Sequence, residues 1–236
     1  MRFILISSLV LFFSAGVASA CDYEKAQQAY AFGNYKKAVT ELQCLAEKGH
    51  TKAQHYLGEM YYYGEGVTAD NKTAAEWFSK AADQGYAEAQ AFLGAMYQKG
   101  KGVERSNTEA AKWHRLAADQ GNVVGQFNLG WMYEFGEGVS QDYDEAARLY
   151  RLAAYQGDGD AQNNLGRLYY HGRGVQQDYV KAYMWAYLAY RNAFDGEAKD
   201  KATRGLDLSE KYLSPSEISQ AQTMAKRCFR TKYAGG

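Results

Sequence analysis

The sequence predicts an all-α fold, an α/α superhelical solenoid, and three observations carry that prediction. Gly58, Gly94, Gly130 and Gly166 recur at a spacing of 36 residues. Leu57, Leu93, Leu129 and Leu165 precede them, and Tyr61, Tyr97, Tyr133 and Tyr169 follow three residues later. A single proline in 236 residues suits helices, because proline removes a helix hydrogen bond and clashes with the preceding turn. Self-similarity at this period marks a stack of hairpins in which each copy buries its apolar face only against its neighbours. Such a stack offers an extended surface for holding another macromolecule.

Along the chain, residues 1–20 stand apart. Met1-Arg2 is a short basic start, Phe3 to Val17 an apolar run, and Ala18-Ser19-Ala20 a small-residue cleavage pattern. This reads as a secretory signal peptide, which places the mature chain, from Cys21, in the periplasm or outside the cell. The competing reading is a retained anchor, although the run is short against the roughly 20 apolar residues that span a bilayer. Cys21 itself has two readings. A disulfide from Cys21 to Cys44 would close the first hairpin in an oxidising compartment. Alternatively, Ser19-Ala20-Cys21 resembles the end of a bacterial lipoprotein signal, which would make Cys21 a lipidation site. Ala18 departs from that pattern, since leucine usually stands there. Cys228 is then left as a thiol on an apolar helix face.

Residues 21–52 form a short N-terminal hairpin, with Ala26, Ala29 and Tyr30 before Gly33-Asn34-Tyr35 and Ala38, Leu42 and Ala46 after. Four repeats follow over 53–196, namely 53–88, 89–124, 125–160 and 161–196. Each reads as helix A, a glycine loop and helix B. Helix A carries Ala53, Leu57, Met60 and Tyr61 at helical spacing. Gly58 sits among them at a cost of about 1 kcal/mol relative to alanine, so its recurrence predicts a close neighbour. The loop Gly64-x-Gly66-Val67 ends helix A, its first glycine suiting a left-handed cap. Asp70, Ser106, Asp142 and Asp178 are N-cap residues for helix B. Ala74, Trp77, Phe78, Ala81 and Ala82 form its core face, and Gly85, Gly121 and Gly157 close it. Ala193 replaces the closing glycine in the fourth repeat, so that helix is expected to run on. Residues 197–236 form a helical cap, split at Leu213-Ser214-Pro215, where Ser214 and Glu217 make a capping box. Ile218, Ala221, Ala225, Cys228 and Phe229 give its last helix an apolar stripe.

The run Ala-Gln-x-x-Leu-Gly-x-Met-Tyr, then Gly-x-Gly-Val, Ala-Ala-x-Trp and Ala-Ala-x-Gln-Gly resembles the Sel1-like repeat. That repeat is a relative of the tetratricopeptide repeat, which the N-terminal hairpin also resembles. The resemblance implies an adaptor that holds partner proteins, and for exported bacterial members a part in envelope signalling, exopolysaccharide control or host contact. A lipid-anchored component of an envelope or polysaccharide-export complex is a further reading. A cysteine-rich subgroup binds or hydrolyses penicillins, which makes a β-lactam-binding or weakly hydrolysing protein another alternative. This chain lacks that subgroup's cysteine pair in each repeat. Its mature part also has no Ser-x-x-Lys, and Thr223-x-x-Lys226 in the cap is the nearest approach.

Comparing the repeats with one another separates packing positions, which stay fixed, from positions free to differ. In helix A the differing set is His55, Glu59, Tyr62 and Tyr63; Ala91, Ala95, Gln98 and Lys99; Phe127, Trp131, Glu134 and Phe135; and Asn163, Arg167, Tyr170 and His171. Within each helix these form one stripe, expected on the inner wall of the superhelix. Phe127, Trp131 and Phe135 are the expected centre of a partner-binding groove, flanked by Tyr62, Tyr63, Arg167, Tyr170 and His171. The same aromatics would alternatively fill gaps between helices. A formal net charge of zero argues against a nucleic-acid partner. The four histidines, His50, His55, His114 and His171, lack zinc-ligand spacing. The expectation is therefore a protein or peptide partner, with no enzyme activity, metal or cofactor.

Overall fold

The computed structural model describes residues 21–193 and 196–233, with side chains through Cys228. The predicted signal peptide, the side chain of Phe229 and residues 234–236 lie outside the described residues. The first hairpin is α1 (Tyr23–Ala31) and α2 (Tyr35–Glu47). The repeats are α3 (Thr51–Tyr63) with α4 (Asn71–Asp83), α5 (Ala87–Lys99) with α6 (Asn107–Asp119), α7 (Val123–Phe135) with α8 (Tyr143–Tyr155), and α9 (Gly159–His171) with α10 (Tyr179–Asn192). The cap is α11 (Gly196–Glu210) and α12 (Pro215–Tyr233). From α1 to α11, each helix packs on its neighbours in the chain. The core is accordingly strung along the stack as successive clusters rather than gathered at one centre.

Local chemistry explains where these helices begin and end. Asp70, Ser106, Asp142 and Asp178 each accept a hydrogen bond from the first turn of helix B, as their spacing predicts. Helix A stops at glycine: Gly136 has φ +70°, and its N–H donates to the Met132 carbonyl. The Ser214–Glu217 capping box forms in both directions, at 2.8 Å and 3.4 Å. The mid-helix glycines meet the demand expected of them. A Cβ on Gly58 would lie 3.0 Å from the Phe78 ring, and on Gly130 3.1 Å from the Tyr150 ring. In the first three repeats helix B therefore places an aromatic ring against the bare backbone of its own helix A.

Two devices join repeat to repeat. The second loop glycine is one of them: Gly138 has φ +73°, and a side chain there would run into the Asn107 carbonyl at the start of α6. Gly66, Gly102 and Gly174 stand likewise against Tyr35, Asn71 and Tyr143. The other is a ladder of buried amides. Gln54, Gln90, Gln126 and Gln162 each donate Nε2–H to the last-turn carbonyl of the preceding helix B, at Ala46, Ala82, Ala118 and Ala154. Their Oε1 atoms accept from Gln84, Gln120, Gln156 and Asn192 in the following helix B. Each rung thus brings a second donor to a helix-end carbonyl that already accepts from the N–H of the closing glycine. Trp77, expected in the core face, and its equivalent Trp113 are half-buried and pack against the cluster that the preceding unit forms with their own helix A.

The fourth helix B does not run on. It ends at Asn192, and Ala193 is extended at φ −69° and ψ +128°. Asn192 holds the last rung of the ladder, 3.2 Å from Gln162 Oε1, which pins the helix end in register without the glycine. Beyond it the cap closes the array. Ala221 and Ala225 bury α12 in the last core cluster, and α12 packs on α10. The remaining cap helix, α11, lies across both α10 and α9. Gly205 permits that approach, because a Cβ there would stand 3.1 Å from the Ala186 Cβ.

At the other end, Cys21 and Cys44 are joined with Sγ–Sγ 2.02 Å, which ties the chain before α1 to α2. Closing a loop of this length contributes about 3 kcal/mol in the chain-entropy account. That matters here because α1 packs on α2 alone among the elements with substantial contact.

Candidate functional site: the helix A stripe

Apart from Glu134, which is buried, the stripe grades from covered to exposed along each helix A. Its first position is covered: His55 and Ala91 are buried, and Phe127 and Asn163 half-buried. Its last position is open, with Tyr63 at 59% and Phe135 at 50% exposure, and Lys99 and His171 also exposed. Phe127 stands 5.9 Å from the Tyr150 ring and packs on the last core cluster. Trp131 is half-buried between two clusters and meets Phe135 at 5.0 Å. The three aromatics therefore form a graded wedge, rooted at Phe127 and emerging at Phe135.

The flanking residues stand in separate places. Tyr62 and Tyr63 meet edge to face at 5.0 Å in the first repeat, and Tyr170 and His171 do the same in the fourth. Among the described residues no ring contact joins either pair to Trp131 and Phe135. Arg167 links the third and fourth repeats instead. Its guanidinium lies 2.7 Å from Glu134 Oε1 and donates to Oε2 at 2.8 Å. Glu134, only 2% exposed, also accepts from the Tyr150 hydroxyl at 2.9 Å. Burial, followed by the Glu134 charge, pushes the Tyr150 phenol upward, so it remains the donor in that bond. A stripe position that sequence comparison treats as solvent-facing is thus an internal tie.

Glu59 is a second group whose role sequence reading misses. It faces His55 Nε2 at 3.7 Å. Burial raises its carboxyl to about 7, with help from Glu65, while burial alone lowers His55 to about 4. At neutral pH the imidazole is neutral, so the pair is a polar contact within a packed face and not a fixed ion pair. His114 is completely buried and neither ring nitrogen has a hydrogen-bond partner among the described residues.

The fourth repeat differs most. Arg167, Tyr170 and His171, expected beside an open groove, line a cavity of about 310 Å³ with Lys201, Arg204 and Leu208 of α11. Tyr212 continues that cover, stacked on Tyr179 at 4.4 Å and 6.0 Å from Tyr170. The Thr223 hydroxyl donates to the Ser219 carbonyl of its own helix at 2.9 Å, and Lys226 is exposed. Among the described residues no group of three or more His, Cys, Asp or Glu side chains converges, and no helix is long and apolar enough to cross a membrane.

Fold and stripe together define a repeat scaffold: a fixed frame whose one variable face changes from copy to copy. Residues 51–86, 87–122, 123–158 and 159–194 match the Sel1 repeat model, and the chain belongs to the Sel1 repeat family. These limits begin at the first residue of each helix A, two residues before the boundaries drawn from sequence, with the same period. Sel1 repeats generally mediate protein–protein interaction. The chain is 33% identical, with TM-score 0.76, to c5321, a protective antigen of uropathogenic Escherichia coli strains that displays an SLR fold. That match covers 87% of this chain and 45% of the antigen, so the chain spans less than half of that relative. A Sel1 repeat protein from Oxalobacter formigenes is 28% identical with TM-score 0.70, over 87% of this chain and 99% of its own. A putative Sel1 repeat protein from Klebsiella pneumoniae, 22% identical with TM-score 0.51 over 80% and 98% of the two chains, shares the fold. No curated protein matches the chain significantly.

Proposed function

We propose that this chain is an extracytoplasmic adaptor that holds a protein or peptide along the helix A face, with Trp131 and Phe135 as its anchor. The observation that carries this reading is the half-exposed Phe135 ring seated on Trp131. A large aromatic held by its neighbours and open to water is the kind of group that supplies binding energy at interfaces, because little entropy remains to be lost. Arg167 acts by bracing the face through Glu134 rather than as a free contact. The Cys21–Cys44 bond supports an oxidising compartment, periplasmic or secreted, and uses the thiol that lipidation at Cys21 would need. No cofactor enters this function.

Phe135→Ala separates recognition from packing. Losing the covered half of the ring and its contact with Trp131 should cost about 1–2 kcal/mol of stability, which leaves the chain folded. Capture of the partner from the source bacterium's envelope extract should fall about five- to thirtyfold, the effect of losing a 1–2 kcal/mol anchor. Undiminished capture by a variant that circular dichroism shows to be folded would overturn the anchor.

A further inference from the structure

The space at the fourth repeat arises from one missing ring. Phe78, His114 and Tyr150 fill the corresponding place in the first three repeats, each packed against its mid-helix glycine. In the fourth the residue is Ala186, and a Cβ on Gly166 would meet the α10 backbone, at Ala182 O, 3.1 Å away. Gly205 of α11 comes down on Ala186, and the volume left over is the cavity of about 310 Å³. That size lies at the small end of ligand pockets, roughly 300–1,000 Å³. It has room for one side chain and its polar terminus.

Its lining is chemically one-sided. Gly166, Ala182, Ala186 and Leu208 give apolar surface, while Arg167, Lys201 and Arg204 bring positive charge. Among the described residues no aspartate or glutamate lines it. Two of the three cations are balanced from outside the lining, Arg167 by Glu134 and Lys201 by Glu197 at 3.1 Å. Arg204, exposed on α11, adds a third positive charge at the mouth. The position along the array is equally specific. The stripes of the first three repeats have no helix over them among the described residues, whereas α11 crosses α9 and covers the fourth. A segment lying along the stripe toward the C-terminal end of the array therefore meets a wall at this cavity.

We propose that the cavity receives the C-terminal residue of a partner polypeptide, with its apolar side chain on Gly166, Ala182 and Ala186 and its carboxylate facing Arg204. A wall suits a chain end better than a segment that must continue. The cationic lining, without a carboxylate among the described residues, selects the acid terminus over the amino terminus. The inference rests on the helix A reading, since the wall matters only to a chain lying along that face.

The test is anisotropy of fluorescein-labelled Gly-Ser-Gly-Ala-Leu and Gly-Ser-Gly-Ala-Phe, each as the free acid and as the C-terminal amide, titrated with the purified chain. Both acids should bind saturably. Amidation and Arg204→Glu should each weaken binding about tenfold or more, the size of one charge-assisted contact. Lys72→Glu, the same charge change on the exposed start of α4, should leave binding unaltered. Arg204 is exposed, so its variant keeps the fold, which circular dichroism verifies. Equal binding of acid and amide, absence of binding by either acid, or indifference to Arg204→Glu would each overturn the proposal. If partner capture still depends on Phe135 in that event, the helix A reading stands and only the chain-end site falls. If capture is independent of Phe135 as well, both fall.

Discussion

Replacing Gly138 with alanine is expected to cost about 2–5 kcal/mol, the sum of left-handed backbone strain and steric overlap at a close contact. The residue has φ +73°, and the new methyl would be driven into the Asn107 carbonyl. Gly121→Ala is the matched control. Its φ is +83°, but nothing lies within 4 Å of a Cβ there, so only the backbone penalty of about 1–2 kcal/mol remains. The character of unfolding should also differ. Gly138 belongs to the third repeat and Asn107 to the second, so pushing them apart weakens the joint between halves of the array. Urea unfolding of Gly138→Ala should broaden or split into two transitions, as loss of coupling predicts for a repeat array. Equal, single-step losses for both variants would show that the second loop glycine is not a joint.

His114→Phe should stabilise the protein, and more so in acid. The ring is fully buried, packs where a Gly94 Cβ would come within 2.8 Å, and neither nitrogen has a described partner. Burial lowers its folded-state pKa to about 4 from the ordinary 6.5. Between those values the unfolded chain binds a proton that the folded chain refuses. Stability on this account is complete above pH 6.5, erodes as pH falls toward 4, and loses no more below that. The loss attributable to His114 is roughly 2 kcal/mol at pH 5 and about 3 in total. Phenylalanine already fills the equivalent position at Phe78, so the replacement fits the site type. The variant should gain about 1–3 kcal/mol at pH 7 from removing unsatisfied polar atoms, and its advantage should widen at pH 5. His55, also lowered to about 4, leaves a residual acid sensitivity in both proteins. Parallel urea midpoints at pH 7 and pH 5 would refute the assignment.

The frame is legible in sequence because its rules are local and repeated. A 36-residue period, N-cap residues before helix B and glycines after helix A act through neighbouring atoms. The joints between repeats are less legible, because their partners lie far apart in the chain. Gln54 looks like a polar residue with no task until Ala46 and Gln84 are placed on either side of it. The second loop glycine likewise shows its role only once Asn107 or Tyr143 faces it. In the stripe, comparison of repeats finds Phe135, whose exposure depends on helix phase alone. It misreads Glu134, a variable residue that is buried because Tyr150 and Arg167 happen to pair with it. Variation identifies a face but does not separate contacts to a partner from contacts that differ to suit each joint. The placement of α11 over α9 is least legible, for it depends on Gly205 meeting Ala186 in the absence of a ring.

Site-specific photo-crosslinking tests the central claim most directly. A benzophenone amino acid at position 135 samples the exposed end of the third stripe, and one at Leu152, exposed on α8 of the same repeat, samples helix B. Ultraviolet irradiation of cells that express the protein should give one discrete adduct from position 135 and none from position 152. A discrete adduct from position 152, with none from 135, would contradict the assignment of recognition to helix A.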